Sequence, residues 1–276
     1  MYQIKDKVFL VTGGAAGIGA GVTQAFLEQG AKHVAALDLN ETSGKKLESE
    51  LAAKYGQNKI TFYKCDVTTK NLEDCIDAVY KKLGYIDCVV NCAGILNDGP
   101  SMMVRAIEVN VTALIRSSMK ALELMRKDHG GKGGTIVNIS SIAGIFPCTS
   151  LPIYCATKSA VLQFSNCLGS EPHYPRTGVR VITMCFGCTD TALLNSNNYR
   201  AIDKETDDEE AITNLVKKLP MQKPESAVKG IIEAYKRGAS ASTWLVSADR
   251  AAEDITENVK KGYQIMSQGV FDKNTA

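Results

Sequence analysis

Two side chains in the run Ile153-Tyr154-Cys155-Ala156-Thr157-Lys158 have the types and spacing to move a proton. Tyr154 and Lys158 stand at i and i+4, so on a helix they share one face about 6 Å apart along the axis. A phenol with a reference pKa near ~10 is a poor base at neutral pH, and an ammonium held close by favours its ionised form. The pair therefore reads as a tuned general base. Tyrosine and lysine at this spacing also occur on ordinary amphipathic helices, where the lysine stem lies on the ring, so the surrounding chain must decide.

Far upstream, Thr12-Gly13-Gly14-Ala15-Ala16-Gly17-Ile18-Gly19 follows a short apolar run and opens a helical pattern. The spacing is G-x-x-x-G-x-G. Glycines there permit close backbone approach, and the amino end of a helix offers free N–H groups to a pyrophosphate. Asp38 ends the next apolar run, flanked by Leu37 and Leu39. Its carboxylate can accept hydrogen bonds from the adenosine ribose hydroxyls and would repel a ribose phosphate, which favours NAD over NADP. Asp66, after the third run, either meets the adenine amino group or caps the turn that follows it.

Elements must position these groups. Apolar β-type runs begin at Val8, His33, Ile60, Ile86, Thr135, Val179 and Thr243, and helical patterns separate them, the longest from Met102 to Lys127. Seven strands with helical crossovers predict an α/β fold: a single-domain, Rossmann-type, doubly wound parallel seven-stranded sheet with helices on both faces, spanning residues 1–276. One segment breaks the rhythm. Residues 189–220 hold the acidic run Asp203 to Glu210 between apolar pieces, just after a strand's carboxyl end, which reads as a substrate lid or as a solvated surface excursion. The tail from Phe271 is expected to fray.

Composition narrows the class. With 45% hydrophobic and 22% charged residues the chain is of ordinary globular type, and a formal net charge of +2 with scattered Lys and Arg argues against a nucleic acid partner. No run is long enough to span a bilayer, so no membrane partner is expected. Residues 1–7 lead directly into the first strand, leaving no room for a signal peptide. The nine cysteines then read as reduced core residues of a cytoplasmic protein. Cys185 and Cys188 form a lone C-x-x-C without histidine partners, and no metal site is expected.

Taken together, Thr12-Gly-x-x-x-Gly17-Ile-Gly19, Asp66-Val67, Asn91-Cys-Ala-Gly94, Asn110, Ser141, Tyr154-x-x-x-Lys158 and Gly187-x-x-x-Thr191 resemble the short-chain dehydrogenase/reductase superfamily along nearly the whole chain. Within it, Asn138-Ile-Ser-Ser-Ile-Ala-Gly-Ile-Phe-Pro147, Pro152-Ile-Tyr-Cys-Ala-Thr-Lys158 and Cys185-Phe-Gly-Cys-Thr-Asp-Thr-Ala-Leu-Leu194 are similar to NAD-dependent 15-hydroxyprostaglandin dehydrogenases and to the insect alcohol dehydrogenase group. The resemblance implies that Tyr154 takes the alcohol proton, that Ser141 polarises the substrate oxygen, and that Lys158 depresses the tyrosine pKa and binds the nicotinamide ribose. Asn110 would hold a proton-relay water. It further implies a cofactor surface over Gly13, Gly17, Ile18, Gly19, Asp38, Asp66, Val67, Asn91, Ala93, Gly187, Thr189 and Thr191, bordered by Tyr154 and Lys158. Ser141, Leu151, Tyr154 and Phe186 would meet the substrate, with Phe146, Leu193 and Leu194 as further apolar lining.

Three positions depart from the family pattern. Cys92 replaces an asparagine, Phe186 replaces a proline before Gly187, and Leu151 stands where prostaglandin dehydrogenases use a glutamine to bind the substrate hydroxyl. The last separates prostaglandin itself from the broader class. The expected function is an NAD-dependent oxidoreductase acting on a small-molecule secondary alcohol or its ketone, hydrophobic or lipid-like, working as a homodimer. The alternative is a catalytically weak or inactive fat-body or ligand-binding relative that keeps the fold and binds dinucleotide. Intact Ser141, Tyr154 and Lys158 favour the enzyme.

Overall fold

The five residues Val8–Thr12 are buried on both faces, as a central parallel strand requires. In the computed structural model, which describes residues 1–195, 200, 202 and 208–270, this strand (β1) begins a regular alternation. It is followed by α1 (Gly17–Glu28), β2 (His33–Asp38), α2 (Glu41–Tyr55), β3 (Ile60–Lys64), α3 (Asn71–Leu83) and β4 (Cys88–Asn91). The second half runs α4 (Met103–Ile107), α5 (Leu114–Met125), β5 (Gly134–Ile139), α6 (Pro152–Gly169), α7 (His173–Thr177) and β6 (Val179–Phe186). After it come α8 (Asp208–Lys218), α9 (Pro224–Arg237), β7 (Ser242–Val246), β8 (Glu253–Asp254) and α10 (Thr256–Met266).

The sheet order is β3-β2-β1-β4-β5-β6-β7-β8. The order reverses between β1 and β4, and the crevice at such a switch point, outside the carboxyl ends of the strands, is where ligands bind in open α/β sheets. Side chains alternate along each strand, which divides the core in two. Phe9 and Val11 face α1 and α9 in one layer with Val22, Phe26 and Ile231. Leu10 faces the other layer with Ile76, Val79, Leu122 and Ile136. In the first layer Phe9 stacks on Phe26 at 3.8 Å between ring centroids, and Tyr235 meets both rings edge-on. Aromatic pairs of this kind fix one packing arrangement as well as burying area.

The seven expected strands are present and parallel, with an eighth added. β8 is two residues long, pairs antiparallel with β7, and is too short to leave a periodic signal. β6 continues to Phe186, paired with Val246. Phe186 can join that ladder because its flanking backbone is not constrained by a proline ring.

The long helix expected from Met102 to Lys127 is not one α-helix. Between α4 and α5 the segment Glu108–Ala113 is a π-helical turn with Asn110 at its centre. Such turns insert an extra residue into an α-helix and occur preferentially at functional sites. Of the acidic run, residues 203–207 lie outside the described residues and residues 208–210 open α8. The tail from 271 also lies outside them.

Candidate functional site

The nucleotide end is built from main chain. Gly13 adopts φ +65°, and a Cβ there would sit 2.9 Å from the Ala93 backbone. At Gly19 a Cβ would fall 2.0 Å from the Gly13 carbonyl oxygen, so only glycine lets α1 start this close to the turn. No side chain caps α1 at Ala16, and its first N–H groups remain available to an anion. Asp38 Oδ2 accepts from the Ala15 amide at 3.0 Å, and Oδ1 accepts from the Asn40 amide at 2.9 Å. These bonds tie the carboxylate to the edge of the glycine turn.

The catalytic end is built around α6. Lys158 is 5% exposed and donates from Nζ to the Ile139 carbonyl at 3.0 Å, with its ammonium 5.6 Å from the centre of the Tyr154 ring. Burial lowers the Lys158 pKa to about 8. Burial likewise pushes Tyr154 up to about 12, and the Ser141 hydroxyl, within hydrogen-bonding reach, draws it partway back. Burial is the largest effect on the phenol and opposes the lowering that the i, i+4 spacing suggests. Both effects come from one cause, the removal of this end of α6 from water.

The neighbouring serines have different tasks. Ser140 Oγ donates to the Lys158 carbonyl at 2.8 Å and holds β5 against α6. Ser141 Oγ accepts from the Ala143 amide at 3.1 Å, donates weakly to the Phe186 carbonyl at 3.4 Å, and faces the tyrosine.

A cavity of about 930 Å³ joins the two ends. Gly13, Gly17, Ile18, Gly19, Asp38, Asp66, Val67 and Ala93 line its nucleotide part, and Gly187, Thr189 and Thr191 edge it from the loop after β6. Ser141, Leu151, Tyr154, Lys158 and Phe186 line the catalytic part, with Phe146, Leu193 and Leu194. Above them, Leu96, Ala143, Cys148, Leu151 and Tyr154 pack with Ile212 of α8 into a small separate core, to which Leu193, Leu194 and Val216 add.

Two expected residues do not line this cavity. The Asn91 amide donates to Ser118 at 3.0 Å and to Asn138 at 2.8 Å, joining a buried polar chain that continues from Asn138 to Ser165. Asn110 spends its side chain on the main chain of Ile95, donating to the carbonyl and accepting from the amide, each at 2.8 Å. Nδ2 also reaches Thr157 Oγ1 at 3.2 Å. The Asn110 side chain is thus committed to internal bonds within the protein.

At the adenine end, Asp66 accepts from the Thr68 amide and hydroxyl at 3.0 and 2.7 Å, so it does cap its turn. Arg105 also donates to both its oxygens at 3.2 Å. The Thr68 bonds, then Arg105, hold this carboxyl below the ordinary range. Arg105 was not expected, nor was Asp98, a carboxylate with no exposure that accepts from the first amides of α6. Both contacts join residues distant in sequence, and no local spacing marks them.

The residues present fit a dinucleotide on structural grounds: a cradle that added Cβ atoms would fill, an uncapped helix start, and a carboxylate fixed beside it. A family model described as short chain dehydrogenase matches residues 7–201. The 15-hydroxyprostaglandin dehydrogenase (NAD(+)) of Rattus norvegicus is 36% identical over 195 residues, covering 70% of this chain and 72% of that protein. Alcohol dehydrogenase 1 of Ceratitis cosyra is 42% identical over 141 residues, 51% of this chain and 54% of that one. Among solved structures, a short-chain type dehydrogenase/reductase from Mycobacterium ulcerans superposes with a TM-score of 0.73 at 23% identity, covering 94% of this chain and 96% of that chain.

The depressed Lys158 predicts a definite pH response. Its folded pKa, about 8, lies below the ordinary 10.5. Between those values the unfolded chain binds the extra proton, so the lysine's burial penalty is present in full below pH 8 and is relieved as pH rises toward 10. Urea unfolding of the protein without cofactor should show the wild type gaining roughly 1–3 kcal/mol relative to Lys158→Met between pH 8 and pH 10. A constant difference across that window contradicts the burial argument.

Proposed function

Because the chain belongs to the short-chain dehydrogenase family, we propose that it is an NAD-dependent alcohol dehydrogenase that oxidises a hydrophobic secondary alcohol, or reduces the matching ketone, with Ser141, Tyr154 and Lys158 at the reacting atoms. The observation that carries this reading is a single continuous cavity with a glycine-turn phosphate site at one end and a Tyr154 phenol beside Ser141 and Lys158 at the other.

NAD+, when bound, would supply the hydride acceptor. The chain's own residues do the rest. Glycine-turn amides and the start of α1 hold the pyrophosphate, and Asp38 selects the ribose with free hydroxyls. Ser141 orients the alcohol oxygen toward Tyr154, which takes its proton as the carbinol hydride leaves. Lys158 keeps a positive charge next to the ring, and a positive charge at that distance favours the phenolate against the burial that opposes it. Asn110, on the π turn beside this end of α6, is the residue we assign to the proton-relay water. Phe146, Leu151, Phe186, Leu193, Leu194, Val216 of α8 and Leu219 just after it give the alcohol an apolar enclosure. That enclosure supports a lipid-like substrate and a covering role for the described part of the expected lid, residues 189–195 and α8. The NAD(+)-named prostaglandin relative and the insect alcohol dehydrogenase support the same reaction class.

A homodimer belongs to this reading. Met103, Val104 and Ile107 on α4 and Met119 on α5 are exposed large apolar side chains. We place the second copy of the chain there. Light scattering on a size-exclusion column should give twice the chain mass, and a monomer at micromolar protein contradicts the assignment.

Replacing Tyr154 with Phe removes the proton acceptor and leaves the ring. Turnover should fall by ~10³-fold or more, while NADH fluorescence titration gives an affinity within about twofold of wild type. Turnover near wild type would remove Tyr154 from the chemistry.

A further inference from the structure

Asp98 lies in the loop after β4, has no solvent exposure, and accepts hydrogen bonds with both carboxylate oxygens from another element. Oδ2 accepts from the Ile153 amide at 2.7 Å and Oδ1 from the Tyr154 amide at 3.0 Å. These are first-turn amides of α6, which no side chain of the helix itself caps. Helix-start amides ordinarily bond to a local cap or to water. Here the partner comes from 55 residues upstream. The Asp98 amide in turn donates to the Arg200 carbonyl at 2.9 Å. One residue thus joins the loop after β4, Arg200, and the helix turn that carries Tyr154.

We infer that Asp98 is a positioning residue for the dehydrogenase reaction, fixing the first turn of α6 through the amides of Ile153 and Tyr154 so that the phenol is held in line with Ser141. The inference rests on the reading of Tyr154 as the base. A buried carboxylate bonded only by main-chain N–H groups is well placed against the positive end of a helix, and its charge acts there over a short range. Because it is negative, it also opposes ionisation of the nearby phenol. The groups facing Tyr154 act in a definite balance. Burial raises it most, the Ser141 hydroxyl lowers it, and Cys188 after β6, Cys155 on α6 and Asp98 each raise it further. The Lys158 ammonium, 5.6 Å from the centre of the ring, is the cation beside it. Asp98 therefore has two separable effects, one of geometry and one of charge.

Asp98→Asn separates them from general loosening. It keeps the side-chain shape, removes the charge and leaves one oxygen for two amides. The expected result is a kcat lower by about tenfold or more, NADH affinity within about twofold of wild type, and the rising limb of kcat against pH moved to lower pH by about half a unit. Asp98→Glu, which keeps the charge and displaces the oxygens, should lower kcat and leave the limb in place. Superimposable kcat and pH profiles for Asp98→Asn overturn the inference. So does a loss of kcat matched by an equal loss of NADH affinity, which is what a loosened fold produces. Hydrogen exchange on the wild type gives a test that needs no variant. The Ile153 and Tyr154 amides should be protected like core strands, and the rapid exchange typical of a free helix start overturns the anchoring role. Tyr154→Phe, assayed alongside, tells the two readings apart. An inactive Tyr154→Phe with an unaltered Asp98→Asn sinks only the role of Asp98, whereas an active Tyr154→Phe sinks the base itself.

Discussion

Taking the Lys158 ammonium out of water is the physical constraint on which the catalytic end depends. A buried cation is costly unless its donors are satisfied and nearby dipoles are arranged to receive it. The Ile139 carbonyl at the end of β5 receives this one, and β5 is held to α6 by Ser140 and by the polar chain from Asn91 through Asn138 to Ser165. The same burial that lowers the lysine raises the tyrosine, so one constraint sets both groups.

The sheet makes that arrangement possible. Seven parallel strands place their carboxyl ends along one edge, so loops far apart in sequence meet there. The glycine turn after β1, Asp38 after β2, Asp66 after β3, the Ala93 turn after β4, Ser141 after β5 and Gly187 after β6 all open onto one cavity. Two independent core layers, one on Phe9 and Phe26 and the other on Leu10 and Ile136, keep the strands in register. A third, smaller core under Ile212 then closes over the reacting end.

Much of this was legible in the residues themselves. Strand–helix alternation, the glycine spacing and the Tyr154–Lys158 interval are local patterns, and the strands follow from them, while most other lining residues follow from the family resemblance. What escaped was of another kind. β8 is too short to show a period, and the π turn at Glu108–Ala113 leaves the apolar pattern of a long helix almost unchanged. The direction of the Asn91 and Asn110 side chains, away from the cavity and into internal bonds, is set by neighbours dozens of residues away. Arg105 and Asp98 matter through partners on other elements, and the sign of the Tyr154 shift depends on burial, which spacing alone does not report.

The central claim is hydride transfer between NAD and an apolar secondary alcohol, and it is tested most directly by following NADH fluorescence during turnover. NAD and NADP should be run in parallel against short secondary alcohols, hydroxy fatty acids, prostaglandins and sterols, with the matching ketones in reverse. The account predicts NADH formation with NAD, little with NADP, and rates that rise with the apolar bulk of the alcohol. Tight NADH binding with no turnover across the panel, in either direction, would contradict it and would make the chain a binding protein built on a dehydrogenase fold.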